Sequence, residues 1–425
     1  MKQQTMQLIK ALLKQWEYVV LPKSEWDFLN YEKDRWHDRR RHIVQHPPVH
    51  GQLDIRLAQT QARPGEQHIE IARRLILAFD AASKDEADES IARTGDDLWT
   101  VIQRGELSPF WSVMERKDPV ALSDFLQHFG ENGTGFGGLT FHQDGYNQLK
   151  DESHIALSYF DKAVSLAEAM GCLPCENPEQ GRWGENLYMN ADKIFNVVEQ
   201  EFGATITPPQ HTTGVFGIQT SRGVFHYRHL MAIYAAWRIR EMLSSASDAV
   251  CEYGGGLGAI PYFLRMAGIC DYTIYDLPIA NVFAGHFLMN SLSPEDVVLY
   301  GEKAGADKIK VLPYWECRNA PDKYFSVAVN QDSFPEIDEG MVRAYLEVIQ
   351  RTTRNVFLSI NQEGEAPIPC GGRNLNISRL MKSFPSFRRL HRSRHWVREG
   401  YVEEVYGIRG GNDMQKIKLV ERSFV

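Results

Sequence analysis

A glycine-rich turn between two short apolar runs is the stretch of this chain best suited to chemistry. The turn follows Glu252, and its glycines alternate at Gly254, Gly256 and Gly258. Glycines permit backbone angles that other residues avoid, and they let a ligand approach the main chain. Asp276 ends the second apolar run, where a carboxylate can accept hydrogen bonds from both hydroxyls of a ribose. Together these residues predict a nucleoside-binding cleft.

The elements that must position these residues form one βαβ unit. Residues 249–251 are predicted to be a short strand, residues 259–266 a helix and residues 272–276 a second strand. The unpaired N–H groups at the start of such a helix lie beside the glycine turn and favour an anionic or polar ligand.

Two cofactor classes are consistent with this turn. Gly254, Gly256 and Ala259 satisfy the dinucleotide pattern G-x-G-x-x-G/A, and Asp276 follows about 20 residues later, as that fingerprint requires of NAD-dependent oxidoreductases. Alternatively, Glu252 followed by three alternating glycines resembles the first motif of class I S-adenosylmethionine-dependent methyltransferases. That resemblance implies that Glu252 lies near the amino-acid tail of a sulfonium ligand.

Three later stretches favour the methyltransferase resemblance. Tyr275-Asp276-Leu277-Pro278 resembles the acidic second motif of small-molecule O-methyltransferases. Residues 311–315 fall where the third strand and its adenine-side loop are expected, and residues 325–337 resemble the fourth strand and its tip. The run Asn330-x-x-Ser-Phe-x-Glu-Ile is similar to one found in bacterial sugar O-methyltransferases, and the whole resemblance covers residues 210–410.

The resemblance implies an α/β fold with a Rossmann-like class I methyltransferase sheet and helices on both faces, in a domain over residues 206–425. It also implies S-adenosylmethionine as the cofactor. The expected cofactor-binding residues are Glu252, Gly254, Gly256, Gly258, Asp276, Leu277, Leu312, Pro313, Tyr314, Asn330 and Tyr227.

Methyl transfer to a hydroxyl requires an aligned oxygen and a group that takes its proton. Asp332 is the first candidate, because it directly follows the fourth strand at the expected edge of the cleft. His226, at the start of a long helix predicted over residues 223–243, and Glu363, at the tip of a fifth strand, are further catalytic candidates. The resemblance also places Arg228 near the donor methyl group or the carboxylate tail.

A second, structural interpretation applies to two residues of the fourth-strand tip. Ser333-Phe-Pro-Glu336 has the spacing of a capping box, in which both side chains bond to backbone N–H groups at the start of a helix. The helix in question is predicted over residues 341–351. After it, a final β pair is predicted over residues 402–408 and 417–420.

Residues 1–205 are predicted to form a mainly helical N-terminal domain that shapes the acceptor site or a dimer interface, so a homodimer is one open arrangement. Leu8, Leu12, Leu13 and Trp16 have the spacing of one apolar helix face. A glycine-dense loop over residues 130–145 is expected to be either a lid or an interdomain hinge.

Composition limits the classes of partner. The 425 residues carry a net charge of −8, which argues against a nucleic-acid binder, because phosphate affinity requires an excess of Lys and Arg. Apolar runs stay below the roughly 18 residues of a membrane span, and no signal-peptide core is evident, so a cytoplasmic protein without a membrane partner is expected. Among six scattered cysteines, Cys172 and Cys175 have CxxC spacing, but no second such pair and no paired histidines follow at zinc-site distance, so no metal site is predicted. A divalent metal held by the candidate carboxylates stays open, because some sugar methyltransferases use one.

The preferred function is therefore a methyltransferase that acts on a hydroxyl of a sugar or another small polar acceptor. Asn330 is an alternative orienting residue, which leaves open an N-methyltransferase of a small molecule or peptide natural product. An NAD-dependent oxidoreductase is the rival enzyme class. A non-catalytic module that retains the fold is the remaining interpretation.

Overall fold

The computed structural model describes residues 55–61, 66–88, 107–129, 153–177, 183–303, 307–367 and 373–408, and the single positions 105, 131, 179 and 305. The chain divides into two compact units, residues 54–174 with 189–425, and residues 1–53 with 175–188. The predicted helix face from Leu8 to Trp16, residues 132–145 of the glycine-dense loop and the predicted strand over residues 417–420 lie outside the described residues. The domain boundary at residue 205 stays a prediction.

The described residues of the larger unit contain ten α-helices, and five of them begin at a side-chain cap. Asn190, for example, accepts a hydrogen bond from the Asp192 N–H at the start of one helix, which ends at Gly203 with φ of 68°. The helices are α1 (Glu66–Asp88), α2 (Ser108–Arg116), α3 (Pro119–His128), α4 (Ser153–Ala169), α5 (Ala191–Phe202), α6 (Tyr227–Met242), α7 (Ala259–Met266), α8 (Pro278–Ser291), α9 (Glu339–Thr352) and α10 (Ile377–Leu380).

The strands form two sheets in the described part of the chain. A small antiparallel sheet joins β1 (Leu57–Gln59), β2 (Phe216–Thr220) and β3 (Gly223–Phe225) in that order. The main sheet has eight strands in the order β10-β11-β9-β8-β4-β5-β7-β6. Its members are β4 (Val250–Tyr253), β5 (Tyr272–Asp276), β6 (Val297–Leu299), β7 (Ile309–Pro313), β8 (Phe325–Gln331), β9 (Thr353–Gln362), β10 (Phe387–Arg394) and β11 (Tyr401–Ile408).

Strand order in the main sheet reverses beside β4. From β4 the chain proceeds through β5 to β7 on one side, and it then returns to form β8 and β9 on the other side, all parallel. Only β11 runs antiparallel to its neighbours β9 and β10. Flanking helices complete a Rossmann-like methyltransferase fold of the α/β class, as predicted. In such sheets ligands bind at the carboxyl ends of the strands where the order reverses, which here is the edge between β4 and β8.

Helix α1, from the predicted N-terminal domain, packs directly on α8, which lies against β6 and β7 of the main sheet. The approach is close, because a Cβ atom on Gly285 would lie 2.7 Å from the Leu75 Cδ2 atom. Leu75 is 1% exposed. At this contact the helices before residue 205 therefore share a core with the sheet.

Two sequence-based predictions, one of a helix start and one of a strand pair, differ from the structure. The helix predicted from residue 223 begins only at Tyr227, because Gly223–Phe225 pairs with β2 as strand β3. Strand β11 contains the predicted residues 402–408, and its two neighbours are β9 and β10, Phe387–Arg394, both of which precede it in the chain. Tertiary pairing decides both cases, and the local apolar pattern does not show such pairing.

The capping-box interpretation of Ser333 and Glu336 is wrong. Helix α9 begins after Asp338, whose carboxylate accepts hydrogen bonds from the Gly340 and Met341 N–H groups. Ser333 and Glu336 instead bracket a separate 3₁₀ turn, Phe334–Glu336, without a side-chain cap. Both side chains are therefore available for other contacts at the tip of β8.

Candidate active site

The glycine turn (residues 254–258) lies at the carboxyl end of β4, and its glycines have different tasks. Gly254 has φ of 77°, and a Cβ atom there would lie 2.1 Å from the Ser333 Oγ atom, so only glycine fits. Gly256 also has a positive φ, 55°, but a Cβ atom there would meet nothing within 4 Å. The backbone is therefore closed by packing at Gly254 and open to a ligand at Gly256.

Asp276 lies beside this turn at the end of β5. Its Oδ2 atom accepts a hydrogen bond of 2.9 Å from the Gly256 N–H, and its Oδ1 atom accepts one of 2.7 Å from the Leu277 N–H. A carboxylate can accept several hydrogen bonds at once, from hydroxyl as well as from N–H donors. Asp276 and Leu277 are half-buried, as a residue at the wall of a cleft should be.

Glu252 occupies the base of the same turn and is 2% exposed. Its Oε2 atom accepts a hydrogen bond of 2.9 Å from the Tyr272 hydroxyl. Burial raises the pKa of Glu252 to about 8, the Tyr272 hydroxyl opposes this shift, and the charge of Asp276 adds to it. Glu252 thus keeps its proton at neutral pH unless a positive charge comes near.

The predicted adenine-side residues lie at the carboxyl end of β7 and just after it, next to Asp276. The sheet register pairs Asp276 with Pro313, so the structure brings both predicted segments to one edge. Leu312 is half-buried, whereas Tyr314 is 3% exposed and packs edge-to-face on Trp315 at 4.8 Å. The backbone and Leu312 are therefore better placed than the Tyr314 ring to contact a ligand.

Asn330, at the tip of β8, acts as a clamp between strands. Its Nδ2 atom donates to the Tyr253 carbonyl at 2.8 Å and to the Ser333 hydroxyl at 2.6 Å. Its Oδ1 atom accepts from the Asn361 Nδ2 group at 2.9 Å. Because Asn330 is fully buried and holds β4, β8 and β9 together, its side chain already has a structural role. Cofactor binding by Asn330 stays a prediction.

Asp332 lies two residues after Asn330. Its backbone has a φ of 65°, which is rare for a residue other than glycine. Its N–H donates to the Ile360 carbonyl at 3.0 Å and to the Asn361 Oδ1 atom at 3.1 Å. Non-glycine residues in this region are strained, and they concentrate at functional sites. The bonds to β9 hold the strained residue in place.

The Asp332 carboxylate is the centre of a charged cluster (the Asp332 cluster) that also contains Arg228, Arg398 and Tyr401. Arg228 of α6 donates to it at 2.7 Å, and Arg398 and the Tyr401 hydroxyl donate to it as well. Burial opposes ionisation of Asp332, but the two guanidinium groups and the hydroxyl outweigh burial and lower its pKa. A carboxylate held this way binds a proton weakly, although its catalytic role stays a prediction.

His226 caps α6, close to Arg228 of the Asp332 cluster. Its Nδ1 atom accepts a hydrogen bond of 3.2 Å from the Arg228 N–H, and the ring is 1% exposed. The rings of Tyr227 and of Tyr159, from α4, lie 4.7 Å and 5.7 Å from it. The structure therefore brings the predicted residues His226 and Tyr227 together with a helix that precedes residue 205.

Glu363, the third catalytic candidate, has a different partner. Its Oε2 atom accepts a hydrogen bond of 2.7 Å from Arg392 of β10, and this bond lowers its pKa. Arg392 also pairs with Glu404 at 2.7 Å. The charge of Arg392 is thus balanced by two carboxylates, Glu363 and Glu404.

Sequence reasoning missed Arg398 and Tyr401, and no spacing in the chain signals their contact with Asp332. Within the described ranges, no group of three or more His, Cys, Asp or Glu side chains is arranged to hold a metal ion. In the same part of the chain, every helix is too short or too polar to cross a membrane.

Part of the chain is similar to methyltransferases of known structure. A magnesium protoporphyrin IX methyltransferase from Synechocystis, with bound SAH, is 11% identical over 43% of this chain and 83% of its own, with a TM-score of 0.33. A glycopeptide N-methyltransferase complexed with S-adenosylmethionine is 13% identical over 41% of this chain and 92% of its own, with a TM-score of 0.32. No family model and no curated protein matches the sequence significantly. Similarity of this extent carries no information on substrate, so the reaction has to be inferred from the residues.

Proposed function

We propose that this protein is an S-adenosylmethionine-dependent methyltransferase that methylates a hydroxyl of a sugar or another small polar acceptor. The observation that carries the proposal is the pair of carboxyl groups, Glu252 and Asp276, that flank the glycine turn where the strand order reverses. The sulfonium and ammonium groups of this cofactor are cationic, whereas the pyrophosphate of a dinucleotide is anionic. A cationic group is attracted by the Asp276 carboxylate and favours ionisation of Glu252. An anionic pyrophosphate is repelled by Asp276 and gains nothing from a protonated Glu252.

The residues of this edge fit the cofactor. The backbone at Gly256 is open to a ligand, and the Asp276 carboxylate is of the type that accepts hydrogen bonds from both hydroxyls of a ribose. Leu277 and Leu312 are half-buried beside it and would contact the adenine, while Glu252 would bind near the amino-acid tail. When bound, the cofactor supplies an electrophilic methyl group; the chain supplies binding, orientation and proton transfer.

The acceptor side lies next along the sheet, at the tips of β8 and β9. We propose that Asp332 remains ionised and holds the Arg228 and Arg398 side chains in position around a polar acceptor. Tyr159 of α4 packs on Tyr227 at 5.6 Å, which supports a contribution of the N-terminal helices to the acceptor site. This arrangement suits a small, hydroxyl-rich molecule in the cytoplasm.

Isothermal titration calorimetry with S-adenosylmethionine, its demethylated product and NAD tests the cofactor. We expect the first two to bind with micromolar Kd and NAD to show no heat of binding. Transfer of a labelled methyl group to a panel of sugars and amines, with mass spectrometry of the products, then tests the acceptor atom. Binding of NAD without binding of S-adenosylmethionine would overturn the proposal, and labelled amines would replace O-methylation by N-methylation.

A further inference from the structure

Glu336 is a second acidic residue at the tip of β8, and the failed capping box leaves it without a structural task. It ends the 3₁₀ turn Phe334–Glu336, and its N–H donates to the Ser333 carbonyl at 3.0 Å. The turn is well anchored, because the Phe334 ring stacks on Tyr345 at 5.8 Å and the Leu375 N–H donates to the Pro335 carbonyl at 2.8 Å. The backbone that carries the Glu336 side chain is therefore held in place.

Glu336 follows Asp332 by four residues at the tip of β8, and the charged groups that influence it belong to the Asp332 cluster. Asp332, Arg228 from α6 and Arg398 from the turn between β10 and β11 all act electrostatically on its carboxyl group. Both arginines donate to Asp332. Among the described residues, by contrast, the Glu336 carboxyl makes no hydrogen bond and no ion pair, although the residue is half-buried. Of the two acidic residues described at this tip, Asp332 is bonded to both arginines and Glu336 is bonded to neither.

The proton affinity of Glu336 differs from that of Asp332 for the same reason. Burial raises the pKa of Glu336 to about 7, and the negative charge of Asp332 adds to this rise, while Arg228 and Arg398 oppose it. A base is most effective when its pKa lies near the working pH. Two carboxyl groups whose environments push their pKa values apart mark separate tasks.

We infer that Glu336 takes the proton from the acceptor hydroxyl, and that Asp332 is a positioning residue that holds the two arginines. This inference rests on the function proposed above. In the reaction the acceptor oxygen forms a bond to the methyl carbon while the carbon–sulfur bond of the sulfonium donor breaks and its electron pair stays on sulfur. The hydroxyl O–H bond breaks in the same process, and the proton passes to the Glu336 carboxylate, so charge and atoms balance.

The pH dependence of kcat in full-length wild type, Glu336→Gln and Glu336→Asp tests the inference. Glu336 must be deprotonated to act, so the wild-type rate should rise through a midpoint near pH 7. Glu336→Gln should reduce kcat at pH 8 by at least about 100-fold and abolish this midpoint, with the Kd for S-adenosylmethionine changed less than about 3-fold. Glu336→Asp should retain part of the rate and the midpoint. Glu339→Gln is the matched control, since Glu339 is exposed and pairs with Arg343.

A readout that needs no turnover is carboxyl 13C NMR of the protein labelled at glutamate, with the demethylated cofactor bound. We expect one resonance with a midpoint near pH 7 that disappears in Glu336→Gln and remains in Glu252→Gln. A midpoint near that of an exposed glutamate, or an unchanged rate profile in Glu336→Gln, would refute the role of Glu336. Failure of the wild type to bind S-adenosylmethionine would instead refute the proposed function, so the two failures are distinguishable.

Discussion

The proposed cleft has two halves, a cofactor side at Asp276 and an acceptor side at Asp332, and the carboxylate in each half is held by a different kind of hydrogen-bond donor. Asp276, on the cofactor side, accepts from the backbone N–H groups of Gly256 and Leu277. Asp332, on the acceptor side, accepts from the side chains of Arg228, Arg398 and Tyr401. Backbone donors persist when side chains change, whereas a carboxylate held by arginines depends on charge balance. On the cofactor side the position of the carboxylate therefore depends on the backbone, whereas on the acceptor side it depends on the charges of neighbouring side chains.

Each half also contains a carboxyl group with a raised pKa. Glu252 is 2% exposed and accepts from Tyr272, while Glu336 is only half-buried and has no such donor among the described residues. Burial is the main cause of the rise in both cases. Because Glu252 is buried, a ligand can influence it only through charge. Glu336 is more accessible and can exchange a proton with an acceptor.

The largest predicted effect concerns the backbone of the cofactor side. Gly254→Ala places a Cβ atom 2.1 Å from the Ser333 Oγ atom at a φ of 77°, so we expect a loss of about 4 kcal/mol of stability from clash and strain together. Gly256→Ala, with open space around it, should cost only about 1 kcal/mol. Urea denaturation without ligand measures both.

The same pair separates packing from ligand approach. Gly256→Ala should weaken S-adenosylmethionine binding far more than its small effect on stability suggests, since its Cβ atom projects into the open side of the turn. Equal destabilisation by the two substitutions would contradict the different tasks assigned to the two glycines.

On the acceptor side, Asp332→Asn removes the charge shared by Arg228 and Arg398 and retains a residue type that tolerates the left-handed conformation. We expect a loss of about 3 kcal/mol, because two partly buried cations lose their counter-ion. The pKa of Asp332 is lowered, so its contribution is present above the ordinary carboxyl pKa of about 4 and disappears as the pH falls below it. Chemical denaturation between pH 3 and pH 8 measures this.

A second substitution tests the cause of that loss. Adding Arg398→Gln to Asp332→Asn should restore part of the stability, because the excess positive charge is removed. If the double variant is less stable than Asp332→Asn by the full effect of Arg398→Gln alone, charge balance is not what holds the cluster.

Glu252 should make the protein less stable as the pH rises. Its pKa is about 8 in the fold and about 4.3 in an unfolded chain, so the folded state holds the proton more tightly. Its contribution is complete below the unfolded pKa and is lost as the pH rises towards 8, by roughly 2 kcal/mol between pH 6 and pH 8. Glu252→Gln should flatten this slope in denaturation curves, with Glu339→Gln as the exposed control. An unchanged slope would show that Glu252 is already ionised.

The cofactor side could be predicted from the sequence because it is local. Glu252, the glycine turn and Asp276 lie within one strand–turn–helix–strand unit, where spacing alone determines which residues meet. The structure confirms the predicted fold class, the helix over residues 259–266 and the strand over residues 272–276. The spacing of apolar residues predicts these elements because each one begins and ends within a short stretch of sequence.

The acceptor side could not be predicted, because long-range pairing assembles it. Asp332 meets Arg228 and Arg398 from positions 104 and 66 residues away, and no local pattern encodes such contacts. The capping-box pattern at Ser333 was misleading for a related reason, since Asp338 provides a better cap two residues after Glu336. The position of Glu363 after a strand makes it a catalytic candidate, but its ion pair with Arg392 of β10 depends on long-range folding that the sequence does not show.

The smallest predicted effect follows from that surface pair. The Glu363 and Arg392 side chains are 31% and 35% exposed, so solvent screens their attraction, and we expect a coupling energy of about 0.5 kcal/mol in a double-mutant cycle with Glu363→Gln and Arg392→Gln. The same cycle at Asp332 and Arg398, which are 19% and 22% exposed, should give at least about 2 kcal/mol. Raising the salt concentration should reduce the first value and leave most of the second, because half-buried charges are screened less. Equal coupling in the two cycles would mean that burial does not distinguish the acceptor-side cluster from an ordinary surface ion pair.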